Sequence, residues 1–454
     1  MVALLIGSGK PYAGAQLLPP PPDVVVFSPS QNVSQTPGSS ADGYYYRVAV
    51  DVSGNINIVW LDDTPGYEAV FFSRSSDRGR TFSTAQNISN DPSGATPPEI
   101  AVDSCGSVYV VWTNGSDIAF LTRSDDGGST FSRPMTISTN VRNSPQIAID
   151  MNRHVYVGWE DDGFFRTAFF SQSSDAGDTF SAPVNISGPS SFGGTPLIAV
   201  DSGGNIDLFW QGGFQAFNIY FSRSIDGGAT FSAGVRVSNT SDGAIPFNVA
   251  LDPNNNIYVV YNTVPFGNVY LARSTDQGAT FTNTNVSNSP TLSGSYTSPG
   301  NAHIAIDSSG NLDIVWQSTR GIYVTRSTDQ GTTLSSSVAV ASSSTVSNYD
   351  PRIALGCAGE INLVWTRASS YTSSSTYDVF FSRSTDDAAT FSAPQKLSNS
   401  TGISRPFPSI ALDSCGHIDI AWMDSSPGNI DIFFTQGVTA RSLVGCIAQA
   451  ASSQ

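Results

Sequence analysis

Lysine and glutamate are nearly missing from this chain. Its 454 residues include two Lys and four Glu against 33 Asp, charged residues make up only 13%, and the net charge at pH 7 is −16. A surface of that sign repels phosphate backbones and anionic headgroups, which argues against nucleic acid or an anionic membrane as partner. No apolar run reaches the roughly 20 residues that a membrane-spanning helix requires. Cysteine is scarce as well: Cys105, Cys357, Cys415 and Cys446 lack the spacing of a zinc site, and neither metal nor cofactor is expected. Four cysteines suit an oxidising compartment. Cys357 with Cys415, or Cys446 with Cys105 or Cys415, are candidate pairs between which the sequence does not choose.

What the chain has in abundance is repetition. The phrase Ser-x-Asp-x-Gly-x-Thr-Phe begins at Ser75, Ser124, Ser173, Ser224, Ser274, Ser327 and Ser384, with Leu334 in place of Phe in the sixth copy and Ala388 in place of Gly in the seventh. Asp and Ser side chains bond turn backbone, Gly accepts a positive φ, and the aromatic residue provides an anchor. A second phrase recurs eight times, over residues 48–60, 100–112, 147–159, 198–210, 249–261, 304–316, 353–365 and 410–422. Each copy is a short apolar strand ending in Asp, a Gly/Asn turn and an alternating strand; only the seventh loses the Asp, to Gly356. A third strand such as Ala69-Val70-Phe71-Phe72 leads into the Ser-Asp-Gly phrase, and a fourth, such as residues 180–187, leaves it. A period of about 50 residues points to a propeller or a solenoid.

The eight-residue phrase resembles the Asp box of the sialidase-like (BNR-repeat) β-propellers. The fold expected is therefore all-β, a β-propeller of four-stranded blades. The eighth unit has neither the box nor a fourth strand, whereas residues 27–34 match the fourth strand at 82–89. Pairing of that orphan with the third strand at residues 429–435 would give eight blades closed by the N-terminal strand, and would remove two free sheet edges. A seven-bladed ring with a displaced terminal strand is the alternative. Sialidases are six-bladed, so the resemblance covers the repeat unit and not the blade count. The division expected is residues 1–23 as an export segment and Pro-rich spacer, 24–436 as the propeller and 437–454 as a tail.

Repeated residues read as structural. All seven Trp (Trp60, Trp112, Trp159, Trp210, Trp316, Trp365 and Trp422) end a second strand, and Arg74, Arg123, Arg223, Arg273, Arg326 and Arg383 recur just ahead of the box or at its third-strand equivalent. Seven Asn-x-Ser/Thr sequons, several at one fourth-strand position, read as by-products of the repeat.

Function is therefore sought where the repeat breaks. The position before each first strand reads Arg47, Glu99, Gln146, Leu197, Asn248, His303, Arg352 and Ser409, and these should ring the channel mouth on the face opposite the boxes. Blades one, seven and eight are neighbours in a closed ring, so Arg47, Arg352 and Arg405, with His303 nearby, are the expected ligand-binding group, suited to a planar anion. The resemblance implies more: Tyr46-Arg47-Val48-Ala49 looks like the family's Arg-Ile-Pro motif without its Pro, which would make Arg47 part of an arginine triad. Asp62 or Asp63 stands where the family carries an acid/base Asp, and Tyr349 with Glu99 or Glu160 would serve as nucleophile and partner. The family's second arginine is absent, and Glu360 falls on the other face. The reading is a secreted or surface-displayed propeller that binds an acidic glycan or a protein, self-assembly included, or serves as a structural scaffold. An exo-sialidase or related glycoside hydrolase is the alternative.

Overall fold

The computed structural model describes residues 24–439 except 41–45, 165, 189–192, 195, 214–216, 242, 265–266, 288–301, 319–320, 344–345, 371–375, 399–400 and 402–406. Thirty-three strands and no helix occur among the described residues, arranged as an eight-bladed propeller of antiparallel sheets. Blade 1 consists of Tyr46–Val50, Ile56–Asp62, Ala69–Ser75 and Gln86–Asn87, from the axis outward. Blades 2 to 7 repeat that order, and the outer strands are mostly two residues long.

The second strands are buried through the first five residues of each, and Ile56–Asp62 along its whole length, so they lie between the sheets on both sides. Each carries the expected aromatic residue one to three positions before its end. Trp60 is fully buried and stacks on Phe71, its cross-strand neighbour, with ring centroids 6.0 Å apart. The other six Trp make the same stack with a Phe or Tyr of their third strands. Tyr261 on Tyr270 makes it in blade 5, where Trp is replaced. These pairs fix strand register from inside the blade.

Every inner strand carries an alanine one residue before its last: Ala49, Ala101, Ala148, Ala199, Ala250, Ala305, Ala354 and Ala411. Ala148 joins a cluster with Ile198 and Val200 of the next blade, and Ala250 one with Ile304 and Ile306. The eight sheets converge at the axis, and a methyl is what the narrow end of each wedge admits.

The repeated turns join blade to blade. In blade 1 the Ser75 hydroxyl donates to Asp77 Oδ1 (2.8 Å) and accepts from Gly79 N–H (2.7 Å), while Asp77 accepts from the Thr81 N–H (2.9 Å) and hydroxyl (2.6 Å). So folded, the turn slides under the preceding blade. A Cβ on Gly128 would overlap the Phe72 ring, on Gly228 the Phe170 ring and on Gly278 the Phe221 ring. The phrase's own Phe completes the contact, edge to face: Phe131 on Phe72 at 4.9 Å and Phe231 on Phe170 at 5.1 Å. Ala388, at φ 66°, is tolerated in the seventh turn because Val324 replaces the bulkier residue of the preceding blade in the same buried cluster. Where the inner turn lacks its Asp, at Gly356, Glu360 fills the space: its Oε2 accepts from Ala358 N–H (3.1 Å), and a Cβ on Gly356 would collide with it.

Blade 8 has no such turn, and the N-terminus replaces it. Ser409–Leu412, Ile418–Asp424 and Asp431–Val438 take their outer strand from Val26–Phe27, opposite Val438 and Gly437, and Gln31–Asn32, opposite Phe434 and Phe433. The third strand runs from Asp431 to Val438, shifted from residues 429–435, and the outer strand is broken at residues 28–30, where Ser28 N–H instead reaches Gln436 O (2.9 Å). Phe27 meets Phe381 of blade 7 edge to face at 5.0 Å, so it supplies the aromatic contact that a turn in blade 8 would have made. Across the other seam, Phe82 meets Phe434 at 5.1 Å.

Phe27→Ala should therefore behave like Phe131→Ala. Each is expected to cost about 2 kcal/mol in urea unfolding, since partly buried rings lose less than fully buried ones. An unfolding midpoint unchanged by Phe27→Ala while Phe131→Ala lowers it would show that the last seam closes without that ring.

Candidate functional site

Arg47, Glu99, Gln146, Leu197, Asn248, His303, Arg352 and Ser409 of the inner strands form a mostly polar ring at one end of the axis, and several of them bond sideways. Arg47 Nε lies 2.9 Å from both carboxylate oxygens of Glu99 on the next blade, its NH2 lies 2.6 Å from Glu99 Oε1, and its NH1 donates to Tyr46 O (2.9 Å). Gln146 of the third blade donates to the same Glu99 oxygen at 3.3 Å. Burial lowers the Arg47 pKa, but the Glu99 charge and hydrogen bonds more than offset that, and the guanidinium is held above its ordinary value. Asn248 Oδ1 accepts from Ile304 N–H (3.2 Å).

Of the three arginines expected to converge, Arg47 and Arg352 lie among the described residues, and both act electrostatically on Tyr46. Arg47 is engaged with Glu99; Arg352 NH1 donates to Pro351 O (3.1 Å); Arg405 lies outside the described residues. His303 is partly reached by water but crowded by protein, and desolvation, with Arg352 nearby, holds its pKa well below the ordinary imidazole value. Arg352 follows a bulge in which Asp350 takes φ 53° just before Pro351. That backbone is uncommon for a residue preceding proline and costs on the order of 1–3 kcal/mol.

The catalytic candidates have these surroundings. Asp62 is fully buried and accepts from the Thr36 (2.6 Å), Thr64 and Ser40 hydroxyls and from Trp60 Nε1 (3.3 Å), which ties the N-terminal segment to blade 1. Asp63 accepts from Ser39 N–H at 2.6 Å. Tyr349 lies beside Tyr377, with ring centroids 6.3 Å apart. Glu99 holds Arg47, and Glu160 lies in blade 3, where it accepts from Asn143 Nδ2 at 2.9 Å. Tyr46 OH reaches Phe407 O (2.6 Å) and Ala421 O (2.9 Å), so it pins blade 1 to blade 8, and burial drives its pKa far up.

The repeated arginines are structural. Arg223 is buried between Asp201 and Asp207, Arg326 bonds Asp313 (2.6 Å), and Arg123 reaches Asp178 of the next blade (3.1 Å). Asp413, Cys415 and His417 bring one ligand-type atom each within 4.8 Å of one another, but Cys415 is disulfide-bonded and its sulfur is committed. Cys357 is a free thiol, so it does not pair with Cys415; Cys105 is also free, and Cys446 lies outside the described residues.

Sequence reasoning missed the sideways pairing of Arg47 with Glu99. It also missed a hollow of about 360 Å³ on the same face, between blades 3 and 4, lined by Glu160, Phe164, Arg166, Gly193, Gly194, Gln211 and Phe217. The available signal was the phenylalanines in the two loops, Phe164 and Phe165 in one and Phe214 and Phe217 in the other.

No protein-family model matches the chain, and no curated protein matches it in sequence. Among solved structures it is similar to a PL25 ulvan lyase bound to a sulfated saccharide, at 12% identity over 76% of this chain and 91% of that one, with a TM-score of 0.48. It is also similar to the α-L-arabinofuranosidase Arb93A of Fusarium graminearum (15% identity, 65% of this chain and 92% of that one, TM-score 0.41). For the NanB sialidase of Streptococcus pneumoniae the values are 12%, 91%, 71% and 0.38. The activities belong to those proteins and are not carried over here.

The carboxyl groups divide into two sets with opposite pH dependence. In the repeated turns the Thr179 hydroxyl, the Ser173 hydroxyl and the Thr179 N–H hold Asp175 down at about 2 against the ordinary 3.8, and Asp329 is likewise held at about 2. Their stabilisation is complete above 3.8 and is lost as pH falls toward 2. Burial instead pushes Asp419 up to about 7, partly offset by Gln436 Nε2 at 2.8 Å. The fold favours its protonated form, a contribution complete below 3.8 and lost as pH rises through about 7. Thermal unfolding should therefore shift upward from pH 2, peak near pH 4 and decline toward about pH 7, with Asp419→Asn flattening the decline. A midpoint still rising between about pH 6 and 8 would contradict these assignments.

Proposed function

We propose that the chain is an extracellular or cell-surface propeller of the Asp-box (BNR-repeat) kind that binds a glycan or a protein through its loop face and acts as a rigid scaffold, without glycoside hydrolysis. The observation that carries this reading is the closed pair of Arg47 and Glu99. A sialidase-like site needs an arginine open to a substrate carboxylate and a glutamate free to assist a tyrosine, and here the two candidates satisfy each other. The disulfide at Cys415 supports an oxidising compartment. The turn hydrogen bonds, repeated from blade to blade, support the Asp-box identification of the phrase.

Two measurements test the reading. The full chain is expected to release no sialic acid from a fluorogenic sialoside. Arg47→Ala should leave Glu99 without its partner and cost about 2 kcal/mol of stability, less than a fully buried pair because Arg47 is about one-third exposed. Its folded fraction should still be retained on immobilised polysaccharide as well as the parent. Steady release of sialic acid that Tyr349→Phe or Arg352→Ala abolishes would overturn the scaffold reading.

A further inference from the structure

Two aromatic side chains are exposed among the described residues, Phe164 at 80% and Phe217 at 51%. The chain's other described aromatics are buried or partly buried, so two rings this exposed mark an apolar surface of the kind that meets a partner. They lie on different blades, Phe164 in the loop after Val155–Glu160 and Phe217 in the loop after Ile206–Gly212, yet both line the same hollow. Its volume of about 360 Å³ falls at the lower end of the roughly 300–1,000 Å³ found for small-molecule sites.

The crossing from blade 3 to blade 4 forms part of the wall. Gly193 N–H donates to Arg166 O and Gly194 N–H to Gln211 O, both at 2.7 Å, so the backbone stitches the two loops together. A Cβ on Gly193 would come within 2.8 Å of Ser187 Oγ and Ala168 N, so that position requires glycine. A Cβ on Gly194 would meet Gln211 Cβ at an ordinary 3.5 Å. The glycine at 194 is therefore not demanded by the fold, and its missing side chain leaves space at the wall.

The polar lining is balanced in charge. Glu160 is buried, its Oε1 3.7 Å from Arg142 Nε and 3.8 Å from Arg166 Nε, distances of ion pairs more than of hydrogen bonds. Arg142 NH1 also holds Asp162 Oδ1 at 2.8 Å, and Asp161 Oδ1 turns back to Thr167 N–H at 2.6 Å. The half-exposed Arg166 guanidinium can donate to hydroxyls, and the buried Glu160 beside it leaves no strong net charge facing a ligand.

We propose that this hollow binds one uncharged sugar ring of a polysaccharide, with Phe164 and Phe217 covering its apolar face and Arg166 donating to its hydroxyls. The inference rests on the glycan-binding reading above and gives it a site and a ligand class, away from the channel mouth. Aromatic cover, a small concave volume and a hydroxyl-binding guanidinium whose charge is balanced together fit a neutral saccharide better than an anion or a peptide carboxylate.

Affinity electrophoresis of the full chain through gels containing xylan, arabinan, laminarin or galactan, and separately alginate, tests this. At least one neutral polysaccharide should retard the protein. Phe164→Ala and Phe217→Ala should each weaken that retardation on the order of tenfold with unchanged thermal midpoints, because both rings are exposed. Gly194→Leu should abolish it by filling the hollow from a position that accepts a side chain. Retardation undiminished in all three variants would place glycan binding elsewhere and overturn this inference alone. Retardation by alginate only, lost in the variants, would overturn the uncharged ligand class. No retardation of the parent by any of them would overturn this inference and the glycan-binding reading together.

Discussion

The seam between blades is the contact on which the rest of the structure depends. At most seams a glycine turn slides under the third strand of the preceding blade, and at four of them a phenylalanine ring closes over it edge to face. Aromatic contacts of this kind contribute roughly 0.5–1.5 kcal/mol beyond the area they bury. Repeated around a ring, they outweigh the weakness of outer strands only two residues long. The turn hydrogen bonds shape the insert, and the insert joins the sheets. Conservation of the geometry despite lost residues follows from this: Ala388 occurs opposite Val324, and Glu360 supplies the carboxylate missing at Gly356.

The fold was legible in the sequence because the seam is local. Seven copies of one turn and eight of one strand pair announced the blades, and the match of residues 27–34 to 82–89 announced the closure, down to Phe27 standing where a box phenylalanine would. What escaped was the break in that strand at residues 28–30 and the two-residue displacement of its partner, which depend on how the chain enters the ring.

The site was much less legible. Arg47 and Glu99 were both singled out, one as an anion binder and the other as a catalytic partner, but 52 residues separate them and nothing in either local context shows that they meet. Their pairing comes from the ring, which sets this position of each inner strand beside its neighbour's. The hollow between blades 3 and 4 is similar: two loops and a glycine crossing form it jointly, and none of the three is unusual alone. Rigid blades with variation confined to one face are a scaffold in which binding residues change without cost to the seams.

Amide hydrogen exchange across the closing blade tests the central claim, that the N-terminal strand completes blade 8 and with it the ring. In the full chain the backbone amides of Phe433 and Phe434, opposite Asn32 and Gln31, should exchange as slowly as those of Phe71 and Phe72, opposite Asn87 and Gln86. In a chain that begins after Ser34, protection in Asp431–Val438 should collapse, and protection in blades 1 and 7 should fall with it, because both seams of blade 8 open. Unchanged protection of Asp431–Val438 in the shortened chain would contradict the account.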